Sequence, residues 1–211
     1  MSDASTDALI DRLAADLRPV RPLPGPGWML LRWILAATAA VAAVAWIEGA
    51  RTGADLAAFD LGHLAAASAT SIAAALAAFL LAAPGRDLRP AWLLAPAAAL
   101  WAGHLGLGCL ADWRDGTDGF RISWTCLGYI GGVGTLLSMI MLRLTRHAAA
   151  FRPGPVAAAA ALSAAAAASA GLTLLHPTHG PLMVLAWHGL GAAVLAIGTI
   201  RLARPAWRRL A

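Results

Sequence analysis

The sequence predicts an all-α membrane protein, with six transmembrane helices in a compact bundle preceded by a short cytoplasmic amphipathic helix. Three observations lead there. The 211 residues are 60% hydrophobic and only 13% charged, a composition far more apolar than that of ordinary soluble domains. A hydrocarbon core about 30 Å thick needs about 20 mainly apolar residues per helical span, and six such stretches fall at residues 28–47, 61–83, 91–110, 122–142, 156–175 and 181–202. Finally, the basic residues are all arginines and are unevenly placed. Thirteen of them, Arg12, Arg18, Arg21, Arg32, Arg86, Arg89, Arg143, Arg146, Arg152, Arg201, Arg204, Arg208 and Arg209, lie at one set of span ends. The other set holds Arg51, Arg114 and Arg121, diluted by Glu48, Asp55, Asp60, Asp112, Asp115 and Asp118. Short arginine-rich loops stay in the cytoplasm, so the asymmetry places both termini inside, in agreement with an even number of spans. The expected location is the bacterial inner membrane.

Residues 1–27 form the head, and 28–211 the transmembrane domain. No cleavable signal is expected, because the first apolar stretch is long enough to span, follows a polar head containing acids, and is succeeded by five more. Within the head, Leu9, Leu13 and Leu17 recur at helical spacing with Ile10 and Ala14 beside them, while Asp3, Asp7 and Asp11 step along another face. Ser5 or Thr6 suits the N-cap, and early aspartates suit the positive end of the helix dipole. Pro19 should stop the helix by Arg18, after which PVRPLPGPG forms a stiff extended connector to the first span. Two readings stand for this head. An apolar stripe too short to be stable alone in water suits a soluble protein that completes its fold. Alternatively the head lies on the inner leaflet or on its own bundle, although its aspartates repel anionic lipid.

The spans are separated by Gly, Pro or charged residues. Pro96 is the main break inside one of them. The fifth has a barely hydrophobic core reading SAAAAASAG; it should be shielded by neighbouring helices, its small side chains permitting close backbone approach. Gly128 and Gly132, with Gly103, Gly106, Gly108, Gly189, Gly191 and Gly198, offer further small surfaces for tight crossings within one bundle or between two copies.

Both cysteines and five of the six histidines fall on the external half. Cys109 ends the third span and Cys126 lies near the start of the fourth, joined by a loop short enough to bring those ends together. In an oxidising periplasm the pair could form a disulfide or change redox state under stress. Thiol and imidazole are also metal ligands, so Cys109, Cys126, His63, His104, His176, His179 and His188 could take a metal ion as a signal, although no C-x-x-C or H-x-x-x-H spacing is present. The plain alternative is a small apolar thiol and histidines bonded to neighbouring helices. His104 and His188 lie several residues inside their spans, about 9 to 11 Å from the external helix ends, and could face one another as a haem pair. No further histidine pair supports electron transfer. Asp112, Asp115 and Asp118 are read as a solvated outer loop.

Other classes are disfavoured. A pI of about 10.9 invites a nucleic-acid reading, but these arginines sit beside the membrane, where they fix topology and meet anionic lipid. No direct nucleic-acid contact is expected. A transporter or channel-like protein usually carries ionisable residues near the midplane, whereas Asp and Glu are absent from these span centres. No nucleophile with a base, metal triad or phosphate loop is visible, so neither enzymatic activity nor a resident cofactor is expected.

The head pattern T-x-x-L-I-x-x-L-A-x-D-L-x-P-V-x-P-L over residues 6–23, with six spans and HP-x-x-x-x-L-M-V-L-x-W-H over residues 176–188, resembles the NrsF-like family of membrane-bound anti-sigma factors. The resemblance covers essentially the whole chain. It implies a negative regulator that holds an extracytoplasmic-function sigma factor at the membrane and releases it on envelope, oxidative or metal stress. The implied sigma-contacting residues are Leu9, Ile10, Leu13, Asp16 and Leu17, continued by Pro19, Val20, Pro22 and Leu23. Thiol sensing through two cysteines is also implied, with a departure: Cys126 sits at one such position, while the late external stretch reads LLHPTHG and contains no cysteine.

Overall fold

The computed structural model describes residues 3–15, 24–51, 55–83, 85, 87–116, 124–145 and 153–175, together with eight helical positions between 186 and 201. Its elements are α1 (Asp3–Ala15), α2 (Pro26–Glu48), α3 (Ala58–Ala82), a 3-10 turn (Arg89–Leu93) leading into α4 (Leu94–Asp115), α5 (Trp124–Thr145) and α6 (Pro153–Thr173). Five stretches are long and apolar enough to cross a membrane: Pro26–Glu48, Ala58–Ala82, Arg89–Asp115, Gly128–Thr145 and Pro153–Thr173. The chain is an α-helical membrane protein. Most of the sixth expected span, 181–202, lies outside the described residues.

Local chemistry sets the helix ends. Pro26 and Pro153 open α2 and α6, where a missing N–H costs nothing because the first turn has no intrahelical acceptor for it. Gly49 closes α2 at φ 86°, a left-handed conformation that an L side chain resists. Arg32 stacks its guanidinium over the Trp28 ring at 5.2 Å, an aromatic and basic anchor at the start of α2.

Three expectations are corrected. Helix α1 begins at Asp3, ahead of Ser5 and Thr6, so neither is its N-cap; early aspartates are accommodated inside the positive helix end. Pro96 does not break the α-helical part of its span, and follows the change from 3-10 to α-helix within the stretch Arg89–Asp115. It is the third residue of α4, a first-turn position whose N–H has no partner to lose. That helix also continues five residues beyond the expected Leu110, so Ala111 to Asp115 are helical and the connection to α5 is correspondingly shorter.

Helix α6 is the hub. Val156, Ala160, Ala164, Ala166 and Ala168 are fully buried, as are most of their neighbours, in line with the shielding expected for this alanine-rich span. It packs most extensively on α3, then on α5, with a smaller contact to α2. Alanine-scale side chains permit this, because in lipid close van der Waals contact replaces the hydrophobic effect as the force between helices. Large residues from the surrounding helices fill the remaining space: Trp33, Phe79, Leu137 and Met141 meet Ala75, Ala160, Ala164 and Ala168. A second cluster sets Trp101 and Leu105 of α4 against Ala67, Ala166 and Ala170.

Some interior polar groups are bonded between helices. Thr70 Oγ1 lies 2.8 Å from the Ala66 carbonyl and 2.7 Å from that of Ala97, so its proton can serve α3 or α4. Ser163 donates to the Ser71 carbonyl at 2.8 Å, tying α6 to α3.

Of the glycines expected to allow close crossings, Gly191 does so inside the bundle, where a Cβ would lie 2.8 Å from Ile130 Cγ2. A Cβ at Gly103, Gly106, Gly128 or Gly132 would meet nothing within 4 Å, so these residues do not make crossings inside the described bundle. Gly171 does: a Cβ there would lie 2.5 Å from the Tyr129 hydroxyl oxygen and 2.9 Å from both Val41 methyls, letting α2 and α5 close on α6.

Two outcomes follow from this packing. Gly171→Ala and Ala164→Leu should each destabilise the bundle by about 1 to 3 kcal/mol through overpacking, whereas Leu35→Ala, at a residue 61% exposed, should stay within about 0.5 kcal/mol. Thermal unfolding of the purified protein in one detergent measures all three.

Candidate functional site

The described residues contain one dense polar cluster, where α2 ends, α3 begins and α6 ends. Arg51 is its centre. Its backbone N–H donates to the Leu174 carbonyl at 2.8 Å, and its guanidinium donates to the Thr173 carbonyl at 3.3 Å and to the Asp55 carbonyl. The last carbonyls of a helix lack intrahelical donors and carry the negative end of its dipole, so a cation placed there caps α6. The same guanidinium pairs with Asp60 at 3.0 Å, with side chains 16% and 3% exposed respectively. Asp60 is the third residue of α3, where its carboxylate also accepts the Ala57 N–H at 3.2 Å. One arginine thus joins the α2–α3 connection, the start of α3 and the end of α6.

One turn further along α3, His63 is fully buried, with Nε2 2.9 Å from Ser169 Oγ on α6. His104 of α4 is half-buried, with Nε2 3.1 Å from the Phe59 carbonyl. Its ring stacks on Phe59 at a centroid distance of 4.6 Å and stands 6.1 Å from that of His63. The close fit requires Gly62, since a Cβ there would lie 2.5 Å from His104 Cε1. His188, which could face His104 in the sequence reading, lies outside the described residues; the His104 ring packs on Phe59 of α3.

The other expected site residues fall as follows. Cys109 is half-buried on α4, five residues beyond His104. Cys126 is in the first turn of α5, its side chain outside the described residues, so their proximity is not established. His176 and His179 lie outside them as well. Among the described residues no group of three or more His, Cys, Asp or Glu could hold a metal ion. In the head, Leu9, Ile10 and Leu13 are 53%, 57% and 60% exposed, and residues 6–15 of α1 are exposed throughout. Asp16, Leu17, Pro19, Val20, Pro22 and Leu23 lie outside the described residues.

Sequence reasoning missed Arg51, Asp60 and Ser169 as members of one site. A faint signal existed: opposite charges flank a short connection between two apolar spans, and a carboxylate at the third position of a helix is a capping residue. Nothing in the sequence pointed to Ser169.

The fold and this arrangement define a polytopic helical membrane protein with a polar cluster at one end and an exposed apolar helix before its first span. A protein-family model described as negative regulator of sigma F matches residues 13–208. The chain belongs to that family. No curated protein and no solved structure gives a significant match.

Removing the anion from the Arg51–Asp60 pair leaves a largely buried cation without its counter-ion. Asp60→Asn should therefore cost about 2 to 3 kcal/mol, below a fully buried pair because Arg51 retains some solvent contact. Arg51→Gln should cost a similar amount. Both are read by thermal unfolding, and the double variant should lose less than the two single losses combined.

Proposed function

We propose that this protein is a membrane-bound anti-sigma factor that sequesters an extracytoplasmic-function sigma factor through its N-terminal head. Membership of the negative regulator of sigma F family supports the partner class. The observation that carries the docking site is the exposure of Leu9, Ile10 and Leu13 on α1. Leu9 and Leu13 are four residues apart and share one helix face, a form suited to a groove in a soluble protein.

In this reading the arginine-rich ends face the cytoplasm of a bacterial cell, both termini are inside, and a sixth span follows α6. Residues 1–27 are the docking segment and proline-rich connector, with Asp16, Leu17, Pro19, Val20, Pro22 and Leu23 continuing the contact surface. The bundle keeps the bound sigma factor at the inner membrane and away from RNA polymerase. No reaction is catalysed. The Arg51 cluster then lies at the outward end, where envelope, oxidative or metal stress arrives. Helix α2 runs from the head to that cluster, so a change in the outward contacts of the α2–α3 connection reaches the head along one continuous helix. Two small-residue surfaces, at Gly103 with Gly106 and at Gly128 with Gly132, would allow two copies to pair.

Co-purification from cells tests the docking site. The intact protein should recover a sigma factor, and a version lacking residues 1–24, or one carrying Leu9→Asp and Leu13→Asp, should recover at least tenfold less. Equal recovery from all three would remove the head as the binding site. For the thiols, Cys109→Ser and Cys126→Ser should each weaken target-gene induction by oxidant severalfold; unchanged induction would remove them from the mechanism.

A further inference from the structure

We propose that the groove between α2, α3 and α6 binds one acyl chain of a membrane phospholipid, entering from the side of the Arg51 cluster. The site depends neither on sigma binding nor on which face of the membrane is outward.

Each helix gives the groove one face, at helical spacing: Ala37 and Val41 on α2, Leu64 and Ser68 on α3, and Ala167 and Gly171 on α6. The cavity measures about 300 Å³, and among the described residues no ionisable side chain lines it. Small residues of α6 make its floor, while Thr38 and Ile72 stand exposed at its rim. Trp33, 1% exposed and clustered with Ala75 and Phe79, closes the end nearer the start of α2. The other end reaches Leu174, whose carbonyl accepts the Arg51 N–H at 2.8 Å. The mouth is therefore beside a cation, and the interior is apolar.

Dimensions select the occupant. Between the lining residues Trp33 and Ala42, α2 rises about 14 Å. Spread over that length, 300 Å³ gives an average cross-section of about 21 Å². A helix with its side chains is about 10 Å across, or roughly 80 Å² in section, and crossing the hydrocarbon core takes about 30 Å. The groove is too narrow and too short for a span of a second copy. Non-bonded carbons settle about 4 Å apart, so a single polymethylene chain occupies about 20 Å². One leaflet fills half of the core, about 15 Å, which matches the groove in length. The phospholipid head, with no polar partner inside, stays at the mouth.

The late part of the chain meets the bundle elsewhere. Gly191 packs on Ile130 of α5, and Ile130 clusters with Ala165 and Leu172 of α6. At about 100° per residue, those two positions lie on the opposite side of α6 from Ala167, Ala170 and Leu174. An empty groove would leave its lining without contact atoms, and a lipid chain restores them. Bound there, the chain completes the packing of α2 against α3 and α6. The hold on α2 then varies with the length and unsaturation of the chains that the membrane supplies.

The test uses the full chain in phosphatidylcholine nanodiscs containing a phosphatidylcholine with a diazirine near the middle of one chain. After illumination and digestion, mass spectrometry should find label at Ala37, Val41, Ser68 and Ile72 at least fivefold above that at Leu100 and Leu107, two exposed positions on α4. Ser68→Phe, which fills the groove, should lower the groove label at least fivefold and leave Leu100 and Leu107 unchanged. Thr38→Leu, at the exposed rim, should lower it at least twofold. Circular dichroism and gel filtration establish that each variant is folded, and should Ser68→Phe fail to fold, Thr38→Leu decides alone. Groove label equal to that on α4 means bulk lipid only, and groove label below it means a face covered by a second copy; either overturns the proposal. Undiminished groove label in folded Ser68→Phe overturns it too. No sigma factor enters the measurement, so its outcome is separate from that of the co-purification.

Discussion

The arrangement depends on how thin α6 is. Its interior face is alanine, serine and glycine, so the backbones of α3, α2 and α5 approach it far more closely than leucine-sized side chains would permit. A helix of this composition has little side-chain surface to grip with. Surrounded by Trp33, Phe79, Leu137 and Met141 from its neighbours, it becomes the axis on which the described helices are assembled. Large side chains on the outer helices and small ones on the inner helix are complementary, and neither set would pack alone at native density.

Close approach has an electrostatic consequence. It brings the carbonyl end of α6 beside the start of α3, where two sets of unsatisfied backbone groups meet. Arg51 and Asp60 resolve this together. The arginine caps the carbonyls of α6, the aspartate caps the first turn of α3, and the two neutralise one another. A buried ion pair is a weak source of stability in general, because desolvation offsets most of the attraction. Its value here is positional: it fixes the connection after α2 to two helices at once.

The two ends of α2 have different surroundings. Before it stands a helix whose apolar residues are exposed, unlike the apolar residues of the bundle interior. After it stands the Arg51 cluster. In the proposed function this geometry offers a route for a signal, since a long helix joins the proposed docking segment to the polar contacts at the opposite end.

Much of this was legible in the sequence. Runs of apolar residues fixed the positions of the long helices to within a few residues, because the bilayer demands a stretch of set length whatever its neighbours are. The small side chains of the fifth span's SAAAAASAG core foretold its burial. The exposed stripe of α1 could be read from the four-residue spacing of Leu9 and Leu13. What the sequence could not supply was which face of each span meets which partner. His104 carries no mark that selects Phe59 and His63 as its neighbours, and the small residues of Gly103 and Gly171 look alike, although only Gly171 receives a neighbour's side chain. Hydropathy is a property of single stretches and survives in one dimension. The pairing of Arg51 with Asp60, and of His63 with Ser169 across more than a hundred residues, arises from the rotation and depth of separate helices, which only their mutual packing decides.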